Sequence, residues 1–193
     1  MTRSRQTADW GSRAGLAKVI PSSVAVGSGT GSADSTGTVT VTSVSSVSLN
    51  DIFSTNYENY LIQMHVEGSA FQTGSIRLRV SGSDNSNATY DYAGQYQSSG
   101  SSVWQNIGSG ASQTSWLGFM YGTNGRQFNT FEIPNPFSAN RTLFSAITHE
   151  PGASSLTVWR SGQFRATTSF TGISFINSGS TTFSGTIRIY GYN

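Results

Sequence analysis

The stretch NYLIQMHVE, residues 59–67, changes face at every step. Tyr60, Ile62, Met64 and Val66 fall on one side, and Leu61, Gln63, His65 and Glu67 on the other. A repeat of two residues marks a half-buried β-strand and cannot be laid on a helix, whose faces recur about every 3.6 residues. SIRLRV repeats the pattern with Ile76, Leu78 and Val80 inward and Arg77 and Arg79 outward, and Val39 and Val41 alternate with threonine. Further candidate strands are Thr89–Gln95, Val103–Ile107, Ser115–Tyr121, Gln127–Ile133, Thr142–His149, Leu156–Arg160, Gln163–Ala166, Ser169–Ile176 and Thr186–Tyr192. Turn formers separate them, among them Ser81-Gly82, Pro134-Asn135-Pro136, Ser161-Gly162 and Ser178-Gly179. Roughly a dozen short strands punctuated in this way specify an all-β sandwich or barrel.

Composition points the same way. The 193 residues include 34 Ser, 22 Thr and 22 Gly, and only 10% are charged, against about 25% in an ordinary domain. With a single lysine and no heptad of apolar positions, a helical bundle and a coiled-coil stalk are excluded. The aromatic residues, 12% of the chain, recur in alternating patterns, which excludes disorder throughout.

Two N-terminal regions stand apart from this body, taken as residues 38–193. Residues 1–21 read as an extended arm. Within it, residues 11–19 admit a short helix, weakened by Gly11 and Gly15 at about 1 kcal/mol each and stopped by Pro21. Residues 22–37, SSVAVGSGTGSADSTG, have the composition of a flexible linker. The Gly27, Gly29, Gly31 spacing resembles a phosphate-cradling loop, but no apolar strand precedes it, so the linker reading is preferred. No signal-peptide core or membrane-length apolar run is present, so a soluble chain with no membrane partner is expected.

Charge is distributed unevenly. Arg3, Arg5, Arg13 and Lys18 face only Asp9 in the first 18 residues, a net +3, while the remainder holds seven Arg and eight acids, a net −1. A nearly neutral body offers no basic face for phosphates, which argues against nucleic acid. The arm, with Trp10, Leu16 and Ile20 as apolar anchors beside Arg3, Arg5, Arg13 and Lys18, suits docking on another protein.

No motif carries catalysis. The absence of cysteine excludes disulfides, thiol nucleophiles and Cys-based zinc sites, and two histidines are too few for a His-rich metal centre. Neither G-x-S-x-G nor H-E-x-x-H occurs, and the nine acids are singletons without a D-x-D, D-x-E or E-x-E pair. His65 and His149-Glu150 read as surface positions, and Asp84-Asn85-Ser86-Asn87 as a turn rather than a calcium loop. The expectation is a non-enzymatic protein with no cofactor and no metal. Tyr90, Tyr92, Tyr96 and Trp104, interleaved with polar residues and bracketed by loops at 82–88, 98–102 and 108–115, form the densest aromatic cluster. Two readings apply. In one, half of these rings fill the core and the rest pack between subunits. In the other, the four form a candidate recognition surface, since Tyr and Trp with Ser, Gly and Asn give rigid area and adaptable hydrogen bonds. Phe131, Phe137, Phe144 and Phe170 exceed what one inner face needs, which favours burial between subunits.

The stretches SSVSLNDIFSTNYENYLI, IRLRVSGSDNSNATYDYAGQY, FEIPNPFSANRTLFSAIT and GTIRIYGYN together resemble a family of structural proteins of tailed bacteriophages of cyanobacteria and other marine bacteria. MTRSRQTADWG is similar to the segments by which phage fibre-like proteins dock on the particle. The resemblance implies a trimeric β-sandwich or jelly-roll module located on the virion, on tail or capsid. It implies other virion proteins as partners through the arm, and brings no catalytic residues. The expected role is a tail-fibre or spike-like appendage that binds the host surface, with host carbohydrate as a further partner. A capsid decoration protein of the same fold and, more remotely, a carbohydrate-active enzyme are the alternatives.

Overall fold

The structure, a computed structural model, describes residues 15–69, 72–122, 125–150 and 155–193. Every regular element among them is a strand. In chain order these are β1 (Ala17–Val19), β2 (Ser23–Val26), β3 (Thr30–Ala33), β4 (Thr38–Val44), β5 (Ser46–Asn50), β6 (Asn59–Gly68), β7 (Gln72–Val80) and β8 (Ser83–Asp84). There follow β9 (Tyr90–Ser98), β10 (Gln105–Gln113), β11 (Trp116–Gly122), β12 (Arg126–Pro134), β13 (Thr142–Glu150), β14 (Leu156–Phe164), β15 (Gly172–Asn177) and β16 (Phe183–Tyr192). Ten form one sheet in the order β10-β9-β14-β13-β12-β6-β16-β4-β3, with β1 also on β16, and six form a second in the order β11-β7-β15-β5-β2, with β8 on β7. All pairings are antiparallel. The protein is an all-β sandwich.

Eight strands make the frame. β4, β16, β6 and β12 lie side by side in one sheet, and β5, β15, β7 and β11 in the other. Followed along the chain, successive members of this set alternate between the sheets, except that β7 and β11 are neighbours in the smaller one. Two excursions leave the frame, β8–β10 between β7 and β11 and β13–β14 between β12 and β15. Their long strands β9, β10, β13 and β14 all add to the β12 side of one sheet, which therefore outgrows its partner.

The period of two decides what is buried. Tyr60, Ile62, Met64 and Val66 of β6 are all at most 2% exposed and face Ile76 and Leu78 of β7 across a single core. Phe119 meets Phe175 and Phe183 edge-on at 5.4 and 5.3 Å, and Phe131 lies 5.4 Å from Phe175. Phe131, Phe144 and Phe170 fill this chain's own core and Phe137 packs against it. The surplus of phenylalanine is thus absorbed within one subunit and is no argument for burial between subunits.

Several expectations require correction. Residues 22–37 are not a linker. β2 pairs with β5 in the smaller sheet and β3 with β4 in the larger, so the segment bridges the two sheets along one side of the sandwich. Gly29 and Gly37 take positive φ there (65° and 78°), but Gly31 serves contact rather than freedom. A Cβ on Gly31 would stand 2.7 Å from Val26 Cγ1 and 3.3 Å from Val41 Cγ1. Nor does the arm detach at Pro21, which is buried. Ala17–Val19 form a strand on Ile189–Gly191 rather than the end of a helix, and positions 11–14 lie outside the described residues. Ser161-Gly162 is not a turn but the middle of β14, where a Cβ on Gly162 would collide with Asp91 O and the Phe144 ring. Residues 108–113, expected as loop, belong to β10.

If β2 and β3 are structural, deleting residues 1–33 removes Val24 and Val26, uncovers Val41 and opens two sheet edges. The thermal midpoint of the truncated protein should fall clearly below that of the full chain. An unchanged midpoint in a calorimetric scan would restore the linker reading.

Candidate functional site

The four strands added by the excursions present two different faces. On the inner face, β9 places Tyr90, Tyr92 and Tyr96 together, because residues two apart share a side. Tyr90 is fully buried and therefore belongs to the core, not to a recognition surface. Its ring meets Trp116 at 5.2 Å and Phe164 at 4.8 Å, both edge-on. Its hydroxyl crosses the sandwich, accepting from Leu78 N (3.1 Å) and donating to Asn85 O (2.8 Å). Burial pushes the phenol's pKa up. Tyr92 is half-buried against the core, and the half-buried Tyr96 donates to Gln105 Oε1.

Further along that inner face the lining turns polar. Arg160, 3% exposed, donates through Nη1 to Thr148 Oγ1 (3.0 Å) and to Gly118 O of β11 (3.1 Å). Thr148 donates in turn to Asn129 Oδ1 (2.7 Å).

The outer face carries the opposite anomaly. Trp159, between the buried Val158 and Arg160, points outward and is 55% exposed; Ile147 and Leu143 of β13 are 39% and 51% exposed. Trp104, just ahead of β10, leans over Trp159 with ring centroids 5.3 Å apart and planes tilted by 40°. The register puts Gln95 beside Trp159, Asn106 beside Gln95, and Ile147 on the other flank of Trp159. Below this row lie the small residues Ala93, Ser161 and Ser145, and the step down from indole to hydroxymethyl leaves a cavity of about 540 Å³. A second cavity of about 520 Å³ adjoins it along β14, sharing Ala93 and Ser161 and ending at Leu143, Gln163 and Asp91.

Charge in this groove is confined to its far end. Asp91 accepts from Ser112 N (2.9 Å) and from Gln163 Nε2 (3.1 Å) and pairs with Arg165 Nε (3.2 Å). The Ser112 N–H, with help from Gln163 and Arg165, holds the Asp91 carboxyl below the usual carboxylate range.

Trp104 is thus the one member of the expected cluster on an open face, and its partner Trp159 was not singled out by sequence reasoning. The available signal was the trio Val158-Trp159-Arg160, in which either Trp or Arg must face out. Polarity favours Arg outside, but Thr148, Asn129 and Gly118 reverse the choice. Among the anchor residues, Lys18 lies exposed in β1, and Leu16 and Ile20 flank that strand at 51% exposure each. Arg3, Arg5, Trp10 and Arg13 lie outside the described residues. His65 and His149 are outward, as expected, on either side of Phe128 at 4.7 and 6.5 Å between ring centroids, whereas Glu150, expected at the surface with His149, is buried at the end of β13. Asp84 is tied to Arg79 and donated to by Ser174 Oγ (2.6 Å). Among the described residues no three His, Asp or Glu side chains gather into a metal-binding group.

Tyr90→Phe keeps the ring packing but leaves the Leu78 N–H without its partner. It should lower unfolding stability by about 1–3 kcal/mol in urea titration. The Asp91 contribution is present above the unfolded carboxylate pKa and is lost as pH falls through its depressed folded value. Asp91→Asn should therefore flatten the fall in thermal midpoint at acid pH, below about pH 4, while leaving the midpoint's pH dependence above that range unchanged.

Compared with models of known protein families, with curated proteins and with solved structures, the chain matches none.

Proposed function

We propose that this chain is a non-enzymatic structural protein of a tailed-bacteriophage virion, a surface appendage whose sandwich body presents the outer face of its larger sheet to the host. The observation that carries the reading is the Trp104–Trp159 face. Four strands beyond the eight-stranded frame extend one sheet only, and that extension holds two solvent-facing indoles above a row of small residues. Large exposed apolar groups gathered on a rigid sheet mark a contact surface.

The wiring supports a jelly-roll reading of the body. Two four-stranded sheets, with consecutive frame strands alternating between them except at the paired β7 and β11 and the first long strand beside the last, is the arrangement of two interlocked Greek keys. The phage assignment rests on the resemblance of the quoted stretches. They fall on β5–β6, β7–β9, β12–β13 and β16, which are five of the eight frame strands and parts of both excursions. In this reading the basic residues ahead of β1 dock on another virion protein, and Leu16 and Ile20 extend that contact at the edge of the body. The body assembles as a trimer, so that three weak arms act together.

Immunogold labelling of purified phage particles with antibody to the body should place the protein on the tail. Label on the capsid would favour the decoration role instead, and protein absent from particles would overturn the virion reading. Sedimentation should give three times the 20.5 kDa chain mass; a monomer at micromolar concentration would remove the trimer.

A further inference from the structure

The geometry points to the groove on the outer face of β9, β14 and β13 as a binding site for a neutral oligosaccharide, with Trp104 and Trp159 as stacking platforms. The inference deepens the appendage reading and rests on it for its biological setting. Its physical basis is separate.

Three features select the ligand class. The first is apolar area of a particular kind. Two tilted indoles 5.3 Å apart offer flat, rigid faces, and a pyranose ring presents a matching flat face of C–H groups. The second is the polar complement: Gln95 and Asn106 stand beside the indoles, with Ser145 and Ser161 below. Amides and hydroxyls each donate and accept, which is what vicinal hydroxyls require. The third is charge. Arg160 turns its guanidinium inward, to Thr148 and Gly118, and at the far end Asp91 is paired with Arg165.

Charge also separates the candidate ligands. A single-stranded nucleic acid would stack on the same indoles but needs cations along its phosphates, and among the described residues none faces the groove near them. A stable protein partner needs about 800 Å² of complementary surface on each side. The exposed apolar groups here form a strip one side chain wide, flanked by amides and hydroxyls. Size agrees with a small extended ligand. The two adjoining cavities, about 540 and 520 Å³, each fall within the range of about 300–1,000 Å³ typical of ligand sites. From Trp159 to Gln163 the groove follows four residues of β14, roughly 13 Å at ~3.3 Å per residue, which accommodates a chain of sugar rings rather than one. The platform is also held in place. Ser99 N donates to Ser155 O (2.9 Å) and Gln97 Nε2 to Ser101 O (3.2 Å), fixing the segment that carries Trp104.

The test is titration of the full chain, followed by tryptophan fluorescence, with maltohexaose, cellohexaose, laminarihexaose and mannohexaose, and with dextran sulfate as the charged comparison. At least one neutral hexasaccharide should shift the emission saturably at concentrations up to about 1 mM. Trp159→Ala should weaken that binding about tenfold or more with an unchanged thermal midpoint. Ser161→Phe, which fills the groove where the two cavities meet, should abolish it by isothermal calorimetry with both indoles intact. Silence toward all four sugars, a response to dextran sulfate alone, or binding indifferent to both variants would overturn the inference. So would an oligomer that dissociates on Trp159→Ala, since the face would then be a subunit contact. A protein that occupies the particle yet ignores every sugar sinks this inference and leaves the appendage reading standing.

Discussion

Two sheets of unequal width must be held face to face, and oil-like packing alone does not fix where one sits on the other. Here three polar tips of buried side chains do so. The Tyr90 hydroxyl reaches from β9 to Leu78 of β7, the Trp116 indole donates from β11 to Gln163 O of β14 at 3.1 Å, and Arg160 reaches from β14 to Gly118 O of β11. Each bond joins one of the added strands to the smaller sheet. Their directionality pins the register of the excursions, because a hydrogen bond weakens steeply when its geometry is lost. Everything on the outer face follows from this. With Arg160 committed inward, Trp159 is driven outward; with Tyr90 in the core, Gln95 and Ala93 alternate to the groove.

The two outer faces of the sandwich are consequently different surfaces. On the smaller sheet, Arg79 lies flat and almost covered, paired with Asp84 and donating to Asn50 Oδ1 (2.9 Å), Ser48 Oγ (3.0 Å) and Ser174 Oγ (2.8 Å). Its donors are used, and the short β8 is held against β7 over them. That face is closed by its own network. The extended part of the larger sheet has no such cover, and its apolar residues stand in solvent.

How much of this was legible from the chain depends on which rule governs each residue. The alternation at 59–67 and 75–80 reads directly, because one face of each strand meets a continuous apolar core. Spacing alone would have placed Tyr90, Tyr92 and Tyr96 on one side of β9 and so apart from Trp104; treating them as a cluster along the sequence mixed two faces. The Gly/Ser stretch misled because composition cannot distinguish a glycine that supplies freedom from one that admits a neighbour, as Gly31 and Gly162 do. The inward turn of Arg160 was not legible at all. It depends on Thr148, Asn129 and Gly118, which converge on it only after β12, β13 and β14 have paired and β11 has closed over them from the other sheet.

The attachment of β1 to β16 has a mechanical meaning. Any tension entering through the residues ahead of Gly15 reaches the body first at three paired positions, Ala17–Gly191, Lys18–Tyr190 and Val19–Ile189. The strands run in opposite senses, so a pull along β16 toward Tyr192 strains these pairs in shear, all at once. A pull across the sheet peels them singly. Behind β1, residues 23–33 are clasped to both sheets, so a load that strips β1 is next divided between them. The protein therefore resists an axial tug better than a sideways one, and yields from its edge inward while the groove on the opposite flank keeps its shape.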